Sequence, residues 1–144
     1  MQIKLGTILI LGIVVITGFY LRIESFHKTQ VSHPLRADAG DYFMYAYNMR
    51  HHDVYSRNVT SLKDPAQSLT PDAVRSPGYP LFLALFIDGP PHFKMINKIL
   101  FCQVIISTLT LVVAYFLFKS FLSIYWAGSA ALLTALSPHL VVAN

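Results

Sequence analysis

Charge is scarce in this chain and cysteine is nearly absent. Lys, Arg, Asp and Glu make up only 12% of the 144 residues, whereas 54% are hydrophobic. With Cys102 as the single cysteine, an intrachain disulfide scaffold is excluded and cysteine usage carries no message about compartment. The apolar content likewise excludes collagen-like and disordered chains. There is no Gly-rich phosphate loop, nucleophile elbow, CxxC pair or H-x-x-x-H spacing.

The few charges are unevenly placed. Sixteen of the eighteen lie between Arg22 and Lys98, as do seven of the eight prolines, Pro34 to Pro91. Outside that segment only Lys4 and Lys119 interrupt apolar chain, the pattern expected where the solvent is lipid, and a soluble globular domain is excluded. Within the segment, nine basic against seven acidic residues leave a net charge of +2, a weak pull toward anionic headgroups. The bases are dispersed, so a pI of about 9.3 is no argument for nucleic acid.

Three apolar runs predict an all-α integral membrane fold with three transmembrane helices and a long external loop carrying two interfacial amphipathic helices. Leu5 to Leu21 is a charge-free anchor of roughly 26 Å as a helix, just enough for a hydrocarbon core of about 30 Å. No small-x-small cleavage site follows it, which favours an uncleaved anchor over a signal peptide. Ile99 to Phe118 and about Leu122 to Val142 are long enough to cross, and the short link between them makes a hairpin. Pro138 predicts a kink or an early end in the third run. Ala127, Ala131 and Ala135 form a small-residue stripe for close helix approach, and the Ser and Thr hydroxyls of the hairpin can return to their own helix backbone. The expected domains are an anchor (1–21), an extracytoplasmic loop (22–98) and a transmembrane hairpin (99–144). With Lys4 and Lys119 on one side, the positive-inside rule puts the N-terminus in the cytoplasm of a multi-pass inner or plasma membrane protein.

Two aromatic, apolar stretches of the loop predict helices. Asp38, Asp41, Tyr42, Tyr45 and Met49 form one helical stripe from Asp38 to about His51, acids first and aromatics behind, suited to a membrane interface where hydroxyls stay wet. In Arg75 to Ile87, Pro77-Gly78 fits a type II turn and Pro80 the first turn of a helix. Asn58-Val59-Thr60 between them matches a glycosylation acceptor.

Asp38 and Asp41 are the acids of interest. Capping explains them without chemistry, Asp38 as N-cap and Asp41 as the third residue of an acidic capping box. The functional alternative is a carboxylate at the water–lipid boundary that takes a proton from a hydroxyl or holds a divalent cation, with no other cofactor or metal site expected. His51 and His52 point about 100° apart on a helix and read as a solvated pair.

The ordered series ADAGDYFMYAYNM (37–49), RSPGYPLFLALF (75–86), KILFCQVIISTLTLVVAYFLFKSF (98–121) and AGSAALLTALSPHLV (127–141), preceded by an anchor, resembles the start of GT-C type membrane glycosyltransferases. Within that class it is similar to dolichyl-phosphate-mannose protein mannosyltransferase-like and aminoarabinose transferase-like enzymes. The resemblance implies two interfacial helices in the first external loop, with a catalytic acid at the start of the first. Asp38 is the best match to that acid and Asp41 the second. Ala39 stands where many relatives carry an adjacent acid, which argues against a metal held by an acidic pair. The implied partners are membrane lipid, a polyprenyl-phosphate-linked sugar donor and a hydroxyl acceptor; charge and nearness in sequence offer Arg36 or Arg75 to pair the phosphate, with Tyr42 as a further substrate-binding residue. Enzymes of that class have many more spans, so the chain is expected to be the N-terminal part of a larger enzyme and inactive alone. The rival reading is a small non-enzymatic membrane interaction protein.

Overall fold

The computed structural model describes residues 5–28, 36–64 and 66–141, and the regular structure among them is all helical, with no strand. They divide into two compact units, one of Met1–Gln30 with Leu100–Asn144 and one of Val31–Ile99. Lys4 and Val142, which bound the expected spans, lie outside the described residues.

The first unit contains α1 (Leu5–Lys28), most of α4 (Phe93–Phe121), α5 (Ile124–Leu136) and the single turn α6 (Pro138–Val141). Helices α1 and α4, with 24 and 29 residues, are long and apolar enough to cross a membrane. Only 22% and 28% of their most apolar windows are buried, unlike the core helices of a soluble protein. Ile8, Leu9, Ile13 and Ile16 of α1 and Leu109, Val113 and Leu117 of α4 face outward, a large apolar surface that water would penalise. The α5 helix is 13 residues long and stops at Ser137, because Pro138 cannot donate the next backbone bond.

The anchor outruns its expected end at Leu21. Arg22 does not break α1: it is 3% exposed, its Nε donates to Ser107 Oγ of α4 at 2.7 Å and its Nη1 to the Gly18 carbonyl at 3.0 Å. Beyond it, Glu24 pairs with Lys28 at 2.7 Å one turn on, and His27 and Lys28 sit where the helix dipole favours cations. Thr108, Thr110 and Thr134 do bond back to their own helices, while Ser107 accepts from Arg22.

The small-residue stripe packs as its spacing predicts. Ala127, Ala131 and Ala135 are fully buried with Val14 of α1 and Leu111 and Tyr115 of α4. Helix α5 packs directly on α1: a Cβ at Gly128 would stand 2.5 Å from Ile10 Cγ2, and one at Gly18 would clash with Leu111 of α4 and meet Ala135 of α5 at 3.4 Å.

The second unit contains α2 (Ala37–His52), a 3-10 turn (Val59–Leu62), α3 (Gly78–Ala84) and the first turns of α4. Its core joins Phe43, Met44, Ala46 and Tyr47 of α2 to Leu83 and Ile87 and to Met95 and Ile99. Every residue from Phe43 to Asn48 is buried, so the middle of α2 is enclosed on all sides. Tyr45, expected to keep its hydroxyl wet, is 0% exposed. Asn48 is equally buried, donating to the carbonyls of Ser56 (2.7 Å) and Asn58 (3.0 Å) and accepting from Ser61, and so fastens the loop to the helix. Asp53, left-handed at φ 55°, ends α2.

Two local expectations are corrected. No glycine has positive φ and Pro77 has ψ −12°, so Pro77-Gly78 is not a type II turn; Gly78 is the first residue of α3 and Pro80 its third. His52 is half-buried, with its Nε2 shielded and without a hydrogen-bond partner among the described residues, whereas His51 is exposed and its ring lies tilted against Tyr47 at 4.7 Å.

Candidate functional site

The site lies within the second unit, where Arg57 and the stretch from Asp72 to Arg75 return to the first half of α2. The helix starts abruptly: Arg36 is extended and Ala37 is left-handed at φ 52°, a conformation costing an alanine roughly 1–2 kcal/mol. Arg36 occupies the N-cap position and no side chain caps the helix, so Asp38 is not an N-cap and the predicted capping box does not form. Asp38 and Asp41 turn instead to Arg75.

Arg75 bonds both acids. Its Nη2 is hydrogen-bonded to Asp38 and lies 3.2 Å from Asp41 Oδ2, which its Nε also reaches at 3.3 Å. The guanidinium carbon stands 5.7 Å from the centre of the Tyr42 ring, within cation–π range, and Tyr79 meets that ring edge-on at 5.2 Å. Four of the five predicted site residues, Asp38, Asp41, Tyr42 and Arg75, thus converge; Arg36 is exposed and neither bonds nor pairs with them. The hydrogen bond to Asp41, and then the charges of both acids, raise the Arg75 pKa further. Asp38 is 70% exposed and Asp41 only 28%, so Asp38 is the carboxylate open to a partner and Asp41 the one held from behind.

Two residues that sequence reasoning missed complete the site. Arg57 approaches Asp41 Oδ2 at 4.0 Å with 48% of its side chain exposed. Its backbone N–H donates to Asp72 Oδ2 at 3.1 Å, and Asp72 in turn accepts the hydroxyl proton of Tyr45. The Tyr45 hydroxyl accepts from the Val74 N–H at 3.1 Å, Tyr45 stacks on Tyr55 at 4.3 Å, and the Tyr55 hydroxyl donates to the Arg75 carbonyl at 2.9 Å. Both arginines are therefore set on backbone that two tyrosines and Asp72 hold in place. Desolvation pushes the Asp72 carboxyl up, but bonds from Tyr45 and from the Arg57 and Val74 N–H groups outweigh it and hold it below its ordinary value. Burial, followed by the bond to Asp72, pushes Tyr45 up.

No local pattern marks either residue, since Asp72 meets Tyr45 across 27 positions and the Arg57 N–H across 15. Among the described residues no group of three or more His, Cys, Asp or Glu could hold a metal. No known family, curated protein or solved structure matches the chain. The functional reading therefore rests on the chemistry of the site itself.

Proposed function

We propose that this chain is the membrane-embedded donor-handling part of a glycosyl transfer reaction, in which a sugar passes from a polyprenyl phosphate to an acceptor hydroxyl. The observation that carries the reading is the convergence on Arg75 of Asp38 and Asp41, two acids from one helix, with Asp38 left open. In the step envisaged, the acceptor oxygen bonds to the anomeric carbon and the bond from that carbon to the phosphate oxygen breaks. Asp38 takes the hydroxyl proton and polyprenyl phosphate leaves. Asp41, paired to Arg75, orients the guanidinium that holds Asp38 in position.

In the topology that goes with this reading, α1 and α4 cross the bilayer and α5 with α6 makes a third pass. Lys4 and Lys119 are cytoplasmic, and residues 29–92 are extracytoplasmic, with α2 and α3 at the interface. The two outward-facing apolar helices support it. A second reading, a non-enzymatic interaction protein, is favoured by the completeness of the Arg75 clasp, which would then only fasten residues 53–77 to α2.

Binding of a polyprenyl-phosphate hexose to the chain in phosphatidylcholine nanodiscs separates the two. We expect saturable binding that Arg75→Ala weakens, and absence of binding to the wild-type chain would sink the donor reading. Grafting residues 36–92 into a complete enzyme of the resembled class tests the base: transfer should be lost in Asp38→Asn, and normal transfer in that variant removes Asp38 from the mechanism.

A further inference from the structure

The link between α4 and α5 places two opposite demands on its surroundings. Its side chains are apolar and open: Phe121, Tyr125 and Trp126 are 81%, 76% and 70% exposed. Its backbone is open as well. The Ser123 side chain at the N-cap of α5 makes no capping bond, and the first bond of the helix runs from the Ala127 N–H to the Ser123 carbonyl at 2.9 Å. The helix therefore leaves the N–H groups of residues 124–126 without an acceptor of its own. Water penalises the three rings and hydrocarbon penalises the bare amides. The headgroup layer of a bilayer accepts both, since a Trp or Tyr ring has an apolar body and a polar edge.

Contacts between helices set the depth of this link. Helices α1 and α4 run antiparallel, with Thr7 beside Lys119, Val14 packed with Leu111 and Tyr115, and Arg22 beside Ser107. Helix α5 rises along α1 from the same end, as a Cβ on Gly6 would lie 3.7 Å from Ile124 Cδ1 and one on Gly128 2.5 Å from Ile10. The Lys119 amine donates to Thr7 Oγ1 at 3.2 Å, and the next charges along α1 are Arg22, which is buried, and Glu24, which is exposed and paired with Lys28. The seventeen steps of helix from Thr7 to Glu24 rise about 26 Å, close to a hydrocarbon core of about 30 Å. Residues 121–126 thus lie at one edge of that core and the Glu24–Lys28 pair at the other.

We infer that residues 121–126 are an interfacial anchor, and that the surface they fit is the headgroup layer of a lipid bilayer. Phe121, Tyr125 and Trp126 seat their rings in that layer, headgroup oxygens and water take the N–H groups of the first turn of α5, and Lys119 reaches the same level along its apolar stem. The depth is specific. Leu133 is 71% exposed on the same helix, seven residues further on, so it lies about 10 Å deeper, among the acyl chains. The inference rests on the reading of α1 and α4 as membrane-crossing helices, and on neither the glycosyl transfer nor the side on which Lys119 stands.

Trp126 is the only tryptophan and so reports its own depth. The full chain is reconstituted in phosphatidylcholine vesicles, and its emission is measured with spin labels carried by the lipid either just below the headgroup or near the chain end, and with iodide in the water. We expect the shallow label to remove more of the Trp126 fluorescence than the deep one, and iodide to remove less than it does from free tryptophan. In a Trp126→Phe chain that also carries Leu133→Trp, the order of the two labels should reverse. Far-ultraviolet circular dichroism reports whether that variant folds; if it does not, Tyr125→Trp in the Trp126→Phe chain replaces it and should reproduce the wild-type order. The inference is overturned if the deep label quenches Trp126 as strongly as the shallow one, or if Leu133→Trp shows the wild-type order. It is equally overturned if neither label quenches Trp126, whether iodide reaches the ring in water or protein covers it. A chain that alkaline carbonate strips from the vesicles overturns the membrane reading together with the anchor; a retained chain with the wrong label order overturns the anchor alone.

Discussion

At the scale of single residues, what matters is which charges meet. Arg75 is 37 positions from Asp38 and 34 from Asp41, and no local pattern announces the contact. Reading the chain could nominate these residues by type and place, acids at a helix start and an arginine before a Pro-Gly turn, but not their pairing. Asp72 carries the clearest consequence. Its folded carboxyl lies below its ordinary value, so as pH falls the unfolded chain takes up its proton first. Its stabilisation is therefore complete above the unfolded pKa of about 3.9 and is lost as pH drops through the lower folded value. We expect the melting temperature of the wild-type chain to fall as pH drops below about 4. Asp72→Asn should lower the melting temperature at neutral pH and flatten that acid limb; an equally steep limb in the variant would show that other groups set it.

At the scale of elements, apolar runs told where helices lie but not where they end. The anchor passes through Arg22 because Ser107 and the Gly18 carbonyl satisfy a guanidinium that, taken alone, should stop a membrane helix. Pro138, by contrast, acts through its own backbone chemistry, and its effect was legible in advance. Close packing between elements is testable at two glycines. An alanine at Gly128 would put its Cβ 2.5 Å from the branched Cγ2 of Ile10, whereas one at Gly12 would meet no atom within 4 Å. Gly128→Ala should cost about 1–3 kcal/mol, the usual penalty for overpacking, and Gly12→Ala should cost nothing or stabilise slightly. Detergent melts followed by the fluorescence of Trp126, the only tryptophan, measure both, and equal effects of the two substitutions would refute the packing between α1 and α5.

At the scale of the whole molecule, the chain is two materials. Helices α1 and α4 present apolar side chains outward, while the unit of residues 31–99 encloses the middle of its own helix and carries the cluster of Asp38, Asp41 and Arg75. The proposed topology predicts that alkaline phosphatase fused after Asp64 is active in a bacterial host and fused after Lys119 is inactive, with green fluorescent protein giving the reverse. Phosphatase activity after Lys119 would invert the arrangement.

The sequence by itself determined that the chain carries long helices apolar enough to cross a membrane, that its charges cluster between them, and that acids and aromatics open a helix within that charged segment. These are properties of composition and of short-range periodicity, which need no partner to be read. Only the tertiary structure decided that Arg22 is buried, that Tyr45 lies inside, and that Arg75 closes on two acids while Arg57 stays open. Each of those depends on how residues 53–77 or a neighbouring helix return across tens of positions. Such contacts are fixed by packing and by the pairing of buried polar groups, for which the linear order of residues supplies no register.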